Sequence, residues 1–425
     1  MASPTPHNLQ YVTEAPDGSG ATVSGPVNIS DVNFDPNNTS MVEEYILGIL
    51  GPQHVSYSAL LPLTAVYMVI AVGGVVGNAL TCLVVARNHT MRTSTNYYLV
   101  NLAVADLLTL CLTLPVEVYQ MWVQYPWPLG EAACRLRAMV PETLTHVSVL
   151  TILAVSGERY VAITDPVYAR TTHTLTRTAR VLPVIWLTSM LAAVPLGYFQ
   201  KVNLVKSPLG SDLPQSAWCA IPYDDPSPRY CWLLWASSVG AFMLPMAVLI
   251  VLYCKIGMVL SIDPPTRTPA AGAGAMHTRK VGIRMLVAVV VAFFLCWAPF
   301  HAQRLMFVTI TTYGQWTPYH RSVNTKLFYC TGICYYLNSA VNPILYSVMS
   351  VRFRIAFRRS LCGGKAWARK QLYLSNTHGH LHLSNNSNIL NRTREISTTT
   401  STRRVLDTNY RNGINYVFVQ MEIQA

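Results

Sequence analysis

The chain has 425 residues, of which 51% are hydrophobic and only 12% charged, and its formal net charge is +12. A soluble domain carries about a quarter charged residues, so the deficit excludes an ordinary soluble protein. No nucleophile, metal pair or phosphate loop falls in a reachable setting, which excludes an enzyme.

Residues 1–59 contain no Lys or Arg but six acids, and the first 50 are rich in Pro, Ser, Asn, Gly and Asp. That composition predicts a disordered segment. Asn28, Asn37 and Asn38 each open an Asn-X-Ser/Thr triplet, the acceptor for glycosylation on an exposed side. No basic, apolar, small-residue leader precedes the first long apolar run, so that run is expected to act as the signal anchor.

Residues 60–350 read as the membrane domain. Charge-free runs cover Leu60–Ala86, Val181–Gln200, Cys231–Cys254, Met285–Gln303 and Leu327–Ser350. About 20 apolar residues cross a bilayer as a helix. Two further runs qualify despite internal charges: Asn96–Gln120, with Asp106 and Glu117, and Cys134–Thr164, with Glu142, His146, Glu158 and Arg159 among others. The expected fold is therefore an all-α membrane protein, a seven-transmembrane-helix bundle. Residues 351–362, "VRFRIAFRRSLC", predict a short amphipathic helix on the cytoplasmic surface, with Phe353, Ile355, Ala356 and Phe357 toward lipid and four arginines at the headgroups. Cys362 at its end is either a palmitoylation site or a free thiol. Residues 363–425 are expected to be a disordered tail, whose Ser397–Thr402 run is either a phosphorylation cluster or a solvated low-complexity stretch.

Lys and Arg set the orientation. Residues 351–425 hold twelve of them, and Arg87, Arg92, Arg170, Arg177, Arg180, Arg267, Arg279, Lys280 and Arg284 fall in the first, third and fifth loops. The N-terminus is thus expected outside and the C-terminus inside, in the plasma membrane. The positive charge is a topology signal rather than a sign of nucleic-acid binding. Of ten cysteines, most lie in spans as small hydrophobes, and no spacing suggests a zinc site. Cys134 and Cys219 fall on the extracellular side, where disulfides persist, and are expected to pair and pin the loop before the fifth span over the bundle.

Ionisable groups inside a span are costly and need partners or water. Glu117 follows Asp106 by eleven residues, about three turns, so both face the same way. Glu142 lies roughly 12 Å inside from Cys134. Glu117 and Glu142 are placed to meet in an outward-opening cavity suited to a cationic ligand, unless each bonds locally. Pro141 before Glu142 is expected to kink the third span. In "FFLCWAPFHAQRLMF", Phe293, Trp297, His301 and Arg304 share one helix face, and Pro299 permits a bend. This face is either a lever, with His301 and Arg304 in the outer cavity, or a core stripe ending in an arginine that snorkels to the headgroups. At the inner edge, Glu158 and Arg159 either lock one another or release a basic arm toward a partner. Asn338, Asn342 and Tyr346 share a face interrupted by Pro343. With Asp106 and Asn78 they form a candidate polar network, suited to an ion, water or a switch.

Over about residues 60–362 these motifs resemble the rhodopsin-like G-protein-coupled receptors. They are Gly77-Asn78, "NLAVAD" ending at Asp106, Cys134, "ERY" at Glu158–Tyr160, Trp186, Pro245 and Tyr253, "CWAP" at Cys296–Pro299, and "NPILY" at Asn342–Tyr346. The resemblance implies an allosteric sodium ion on Asp106 with Asn338 and Asn342 and no other cofactor. It also implies coupling to a heterotrimeric G protein through Arg159, and switching at Trp297 and Tyr346 with Phe293, Pro245 and Tyr253. "LPVEVYQMW", "PETLTHVSVLTILAVSGERYVAI" and "CWAPFHAQRLMF" are most similar to the neuromedin U, pyrokinin and CAPA receptors. That likeness implies a peptide ending in Arg, a variable residue and an amide. Glu117 and Glu142 would hold the peptide arginine, Arg304 the amidated end, and Gq with calcium would carry the signal, arrestin and receptor kinases acting on the tail. Gly157, Pro141 and "ITDP" depart from the family pattern. The start of the sixth span has Arg279 and Lys280 and no acid, so no clamp from Arg159 to that helix is expected and basal activity would be appreciable. Receptors for other amidated peptides, such as ecdysis-triggering or thyrotropin-releasing hormone, are the alternative. An ion transporter or channel running through Asp106, Glu117 and Glu142 is the competing class, but the repeated halves of transporters are missing.

Overall fold

The computed structural model describes residues 34–172, 174–221, 228–262, 269–349 and 351–361. Asn28, Cys362 and the Ser397–Thr402 run lie outside these residues. Ten helices and one hairpin are present among them. α1 spans Thr39–Leu50, α2 Tyr57–Arg87, α3 Ser94–Trp122, α4 Gly130–Thr164, α5 Pro166–Thr172, α6 Leu175–Tyr198 and α7 Arg229–Val259. α8 spans Pro269–Tyr313, α9 Pro318–Met349 and α10 Val351–Leu361. Strands β1 (Lys201–Lys206) and β2 (Asp212–Ala220) lie between α6 and α7.

α2, α3, α4, α6, α7 and α8 are each long and apolar enough to cross a membrane. α9 is the seventh span, and its first turns are more polar, with His320, Arg321, Asn324 and Lys326. The outer faces confirm the solvent. Val69, Val72, Leu191 and Leu295 are each at least 60% exposed, an apolar exterior that water would penalise and lipid accepts. Side-chain acceptors start two of these elements: Thr93 caps Asn96 N on α3 and Thr174 caps Arg177 N on α6. Both α3 and α7 widen by a π-turn, at Thr109–Thr113 and Val239–Met243, re-aiming the side chains beyond it. Close approach needs glycine at Gly77, where a Cβ would meet Pro343 of α9 at 2.9 Å.

Two expectations change. Residues 34–59 are not all disordered: α1 forms there, with Asn38 Oδ1 accepting from Met41 N. Its Val42 and Ile46 pack on Tyr125, Val205 and Leu213, and this apolar contact offsets the ordering cost that composition alone suggested would prevail. Asn37 and Asn38 stand exposed at its start. The expected seven-helix bundle stands, and between α6 and α7 it carries one short hairpin. β1 and β2 pair antiparallel with Val202 opposite Cys219, and Gly210 turns the chain at φ +84°. Finally, α10 does not turn Phe353 and Ala356 to lipid. They are buried at 4% and 7% exposure against the bundle, Phe353 near Tyr346, while Ile355 stays exposed.

The hairpin caps one end of the bundle. Cys134 of α4 is bonded to Cys219 of β2, Val202 N donates to Glu131 Oε2 at 2.9 Å, and Trp127 N donates to Ala217 O at 2.7 Å. α1 leans on the same hairpin through Tyr45 Oη, which donates to Lys206 O.

Candidate functional site

Below the hairpin lies a buried ion pair. Arg304 of α8 grips Glu142 of α4 with both terminal nitrogens, Nη1 to Oε1 at 3.2 Å and Nη2 to Oε2 at 3.1 Å. The two side chains are 13% and 9% exposed. Ser237 of α7 also donates to Glu142 Oε1, and it accepts from Arg304 Nη1 at 3.3 Å. His146, one turn along α4, brings Nε2 to 3.6 Å from Glu142 Oε1. Three helices therefore meet on one carboxylate. Phe300 supports the guanidinium, whose Cζ stands 5.2 Å from the ring centre, within cation–π range.

Glu117 and Glu142 do not form the free pair of acids expected from spacing. Glu117 of α3 lies 4.0 Å from Arg137 of α4, both partly exposed, while Glu142 is taken by Arg304. The reason is electrostatic: a carboxylate in low dielectric is tolerated only with a partner, and α4 and α8 each supply an arginine. Arg137 is a charge within the Cys134–Thr164 run, but nothing in one sequence tells which acid it faces.

α8 does carry Phe293, Trp297, His301 and Arg304 on one inward face. Phe293 and Trp297 stack at 5.6 Å, and Trp297 meets Tyr335 of α9 edge-on at 4.8 Å. His301 is not at a cavity surface. It is 3% exposed and stacks on Phe242 of α7 at 4.4 Å and 11°, because the π-turn of α7 carries Phe242. Both its nitrogens, and Trp297 Nε1, lack hydrogen-bond partners among the described residues.

Deeper in, Asp106 Oδ2 accepts from Asn342 Nδ2 at 2.9 Å. Asn78 Nδ2 donates to the carbonyls of Ser339 and Gly74 at 2.7 and 2.9 Å. The structure thus joins Asn78, Asp106 and Asn342 through α9. Asn338, 5% exposed, is buried on the same helix. Sequence inspection missed a second polar link, in which Trp186 Nε1 donates to Asn101 Oδ1 and Asn101 Nδ2 to Thr151 Oγ1, each at 2.9 Å. This chain of bonds ties α6, α3 and α4.

At the far end, Glu158 and Arg159 do not lock one another. Glu158 accepts from Tyr98 Oη at 3.0 Å, and Arg159 donates to Thr95, so both hold α3. Tyr253 of α7 bonds Ser156 at 3.1 Å. Pro245 is buried beyond the π-turn of α7, and Tyr346 is 1% exposed with its hydroxyl unpartnered among the described residues. The side chains at the start of α8, including Arg279 and Lys280, lie outside the described residues.

Comparison with known proteins agrees with this architecture. Residues 77–346 match the model of the 7 transmembrane receptor (rhodopsin family). Human neuromedin-U receptor 1 is 38% identical over 348 residues, 78% of this chain and 80% of that receptor. Mouse neuromedin-U receptor 2 is 37% identical over 77% of this chain and 82% of its own. The pyrokinin-1 receptor of Drosophila melanogaster is 33% identical over 74% and 83% respectively.

Proposed function

The chain belongs to the rhodopsin family of seven-transmembrane receptors, and we propose that its ligand is an amidated neuropeptide ending in arginine, one variable residue and an amide. A neuropeptide receptor of the neuromedin U and pyrokinin type accounts for the relatives. The finer ligand assignment rests on one observation: the Glu142 carboxylate already seats a guanidinium in two-pronged geometry, so the site is shaped for an arginine.

The peptide arginine would take Glu142, with Glu117 alongside, in place of Arg304. Two-pronged carboxylate pairing is what arginine does better than lysine. The displaced Arg304 would then turn to the C-terminal amide, which offers a carbonyl acceptor and no negative charge. Arg304, Trp297 and Phe293 lie on one face of α8 with Pro299 between, so moving Arg304 would load the hinge. Trp297 would pass the change to Tyr335, and Tyr253, Pro245 and Tyr346 would carry it toward Arg159. Opening Arg159 from Thr95 would expose the G-protein surface, Gq being the partner proposed, with arrestin and receptor kinases at the tail. The hairpin end would face outward and α10 the cytoplasm. A sodium ion fits the deeper network: Asp106 and Asn338 offer hard oxygen donors, and the buried Asn78 Oδ1 is unpartnered among the described residues. Asp106, Asn338 and Asn342 would hold it, neutralising the carboxylate.

The test is intracellular calcium in cells expressing the chain, with amidated Pro-Arg-Xaa and Pro-Arg-Val peptides against their free acids. A potent response to amides alone supports the assignment. Silence from receptor shown at the cell surface removes it, and a response to thyrotropin-releasing or ecdysis-triggering peptides instead redirects it.

A further inference from the structure

The hairpin over the ion pair is held at both ends. Toward α4, β2 is fixed by the Cys134–Cys219 disulfide and by Trp127 N, which donates to Ala217 O. At the turn end, α1 holds it through Tyr45 Oη on Lys206 O and through Val42 and Ile46 against Val205 and Leu213. Glu131, in the first turn of α4, ties the base of β1: its Oε2 accepts from Val202 N at 2.9 Å. Its other oxygen, Oε1, accepts from Arg135 Nη2 at 3.2 Å and Nε at 3.4 Å. Arg135 thus fixes the carboxylate and leaves Oε2 for the strand. A negative charge in a first helical turn also suits the helix dipole.

Val202 stands opposite Cys219 in the hairpin register, so the carboxylate and the disulfide grip the two sides of one rung. They reach it from positions three residues apart on α4. The holds on β2 and at the turn define a line, about which a two-stranded ribbon can roll. Glu131 grips β1 off that line and stops the roll. Glu142 follows Glu131 by eleven residues, about three turns, so the two lie on one face of α4, roughly 16 Å apart along its axis. The base of β1 therefore stands over the face that carries Glu142.

We propose that Glu131 is a positioning residue for peptide capture: together with the disulfide it sets the roll of the hairpin, and so keeps the way to Glu142 open. Without it β1 swings over the entrance for part of the time. A peptide then meets a competent receptor in only a fraction of encounters, which lowers the association rate by that fraction. A bound peptide fills the entrance and holds β1 aside, so dissociation is unchanged. The capture role rests on the proposed peptide function, whereas the hold on the hairpin does not.

The experiment compares the full chain with Glu131→Ala and Glu131→Gln in phosphatidylcholine nanodiscs. Hydrogen exchange of the hairpin is followed by mass spectrometry without peptide, and a labelled amidated Pro-Arg-Xaa peptide gives association and dissociation rates. Glu131→Ala is expected to speed exchange in Lys201–Lys206 about fivefold, the worth of one hydrogen bond, and to slow association by about two- to fivefold with dissociation unchanged. Glu131→Gln keeps an acceptor for Val202 N and loses only an exposed ion pair, which is worth little, so it is expected to restore both readings. Unchanged exchange in Glu131→Ala overturns the hold on the hairpin. Faster exchange with unchanged association overturns the capture role. Faster dissociation with unchanged association means that the peptide touches Glu131 itself, which overturns positioning. A loss of thermal stability that leaves the rates per folded receptor unchanged also overturns the capture role. If the chain binds no amidated peptide, the peptide assignment fails, while the exchange result still decides the hold.

Discussion

Arg304→Met removes one half of the bridge and leaves Glu142 with only Ser237 and His146. Both side chains are nearly enclosed, at 13% and 9% exposure, so this is the buried regime, in which breaking a pair costs about 3–5 kcal/mol. Glu142→Gln is milder, because the amide oxygen still accepts from Arg304 and Phe300 still supports the guanidinium. The loss expected is about 2 kcal/mol, that of a charged hydrogen bond. In the double variant no charge is left unpaired, and replacing a whole pair by neutral groups is close to free. Its cost is expected at about 1 kcal/mol, well under the sum of roughly 5 or more from the single changes. The assay is thermal unfolding of the purified receptor without peptide. At about 2 °C per kcal/mol for a large domain, Arg304→Met should fall by roughly 6 °C or more and the double variant by only about 2 °C. Additive losses would refute the bridge as the organiser of this site.

Three more outcomes are expected. Gly77→Ala should lower thermal stability by about 1–3 kcal/mol, the cost of overpacking, since the added Cβ would meet Pro343 at 2.9 Å; an unchanged midpoint would contradict that contact. Asn101→Ala should cost about 1–3 kcal/mol by leaving Trp186 Nε1 without its acceptor, while Thr151 keeps its bond to Val147 O, read in the same unfolding assay. Asp106→Asn should abolish any difference in peptide affinity between sodium chloride and choline chloride; a sodium effect that survives would place the ion elsewhere.

The spans were legible because lipid imposes one rule on the whole chain: long apolar runs, with charge only where something answers it. Asp106 and the α8 face from Phe293 to Arg304 could be ranked for the same reason. Partnerships were not legible. Nothing in the spacing of Glu117 and Glu142 tells that Arg137 and Arg304 reach them first, and the two readings open for the His301 face differ only through α7, whose π-turn carries Phe242 against it. Ser237 gave no signal, since a serine in an apolar run more often bonds its own backbone. α1 was missed because its stability comes from the hairpin, which lies over 150 residues away in sequence.

The most direct measurement pairs the ligand with the receptor. An amidated peptide with its C-terminal-side arginine replaced by citrulline, a neutral isostere, is bound to the wild type and to Glu142→Gln. If Glu142 holds that arginine, citrulline costs the wild type about thirtyfold or more in affinity, as expected for a desolvated charge pair, and costs Glu142→Gln little further. The same loss from citrulline in both receptors would show that the peptide arginine is held elsewhere and that Arg304 keeps its carboxylate throughout.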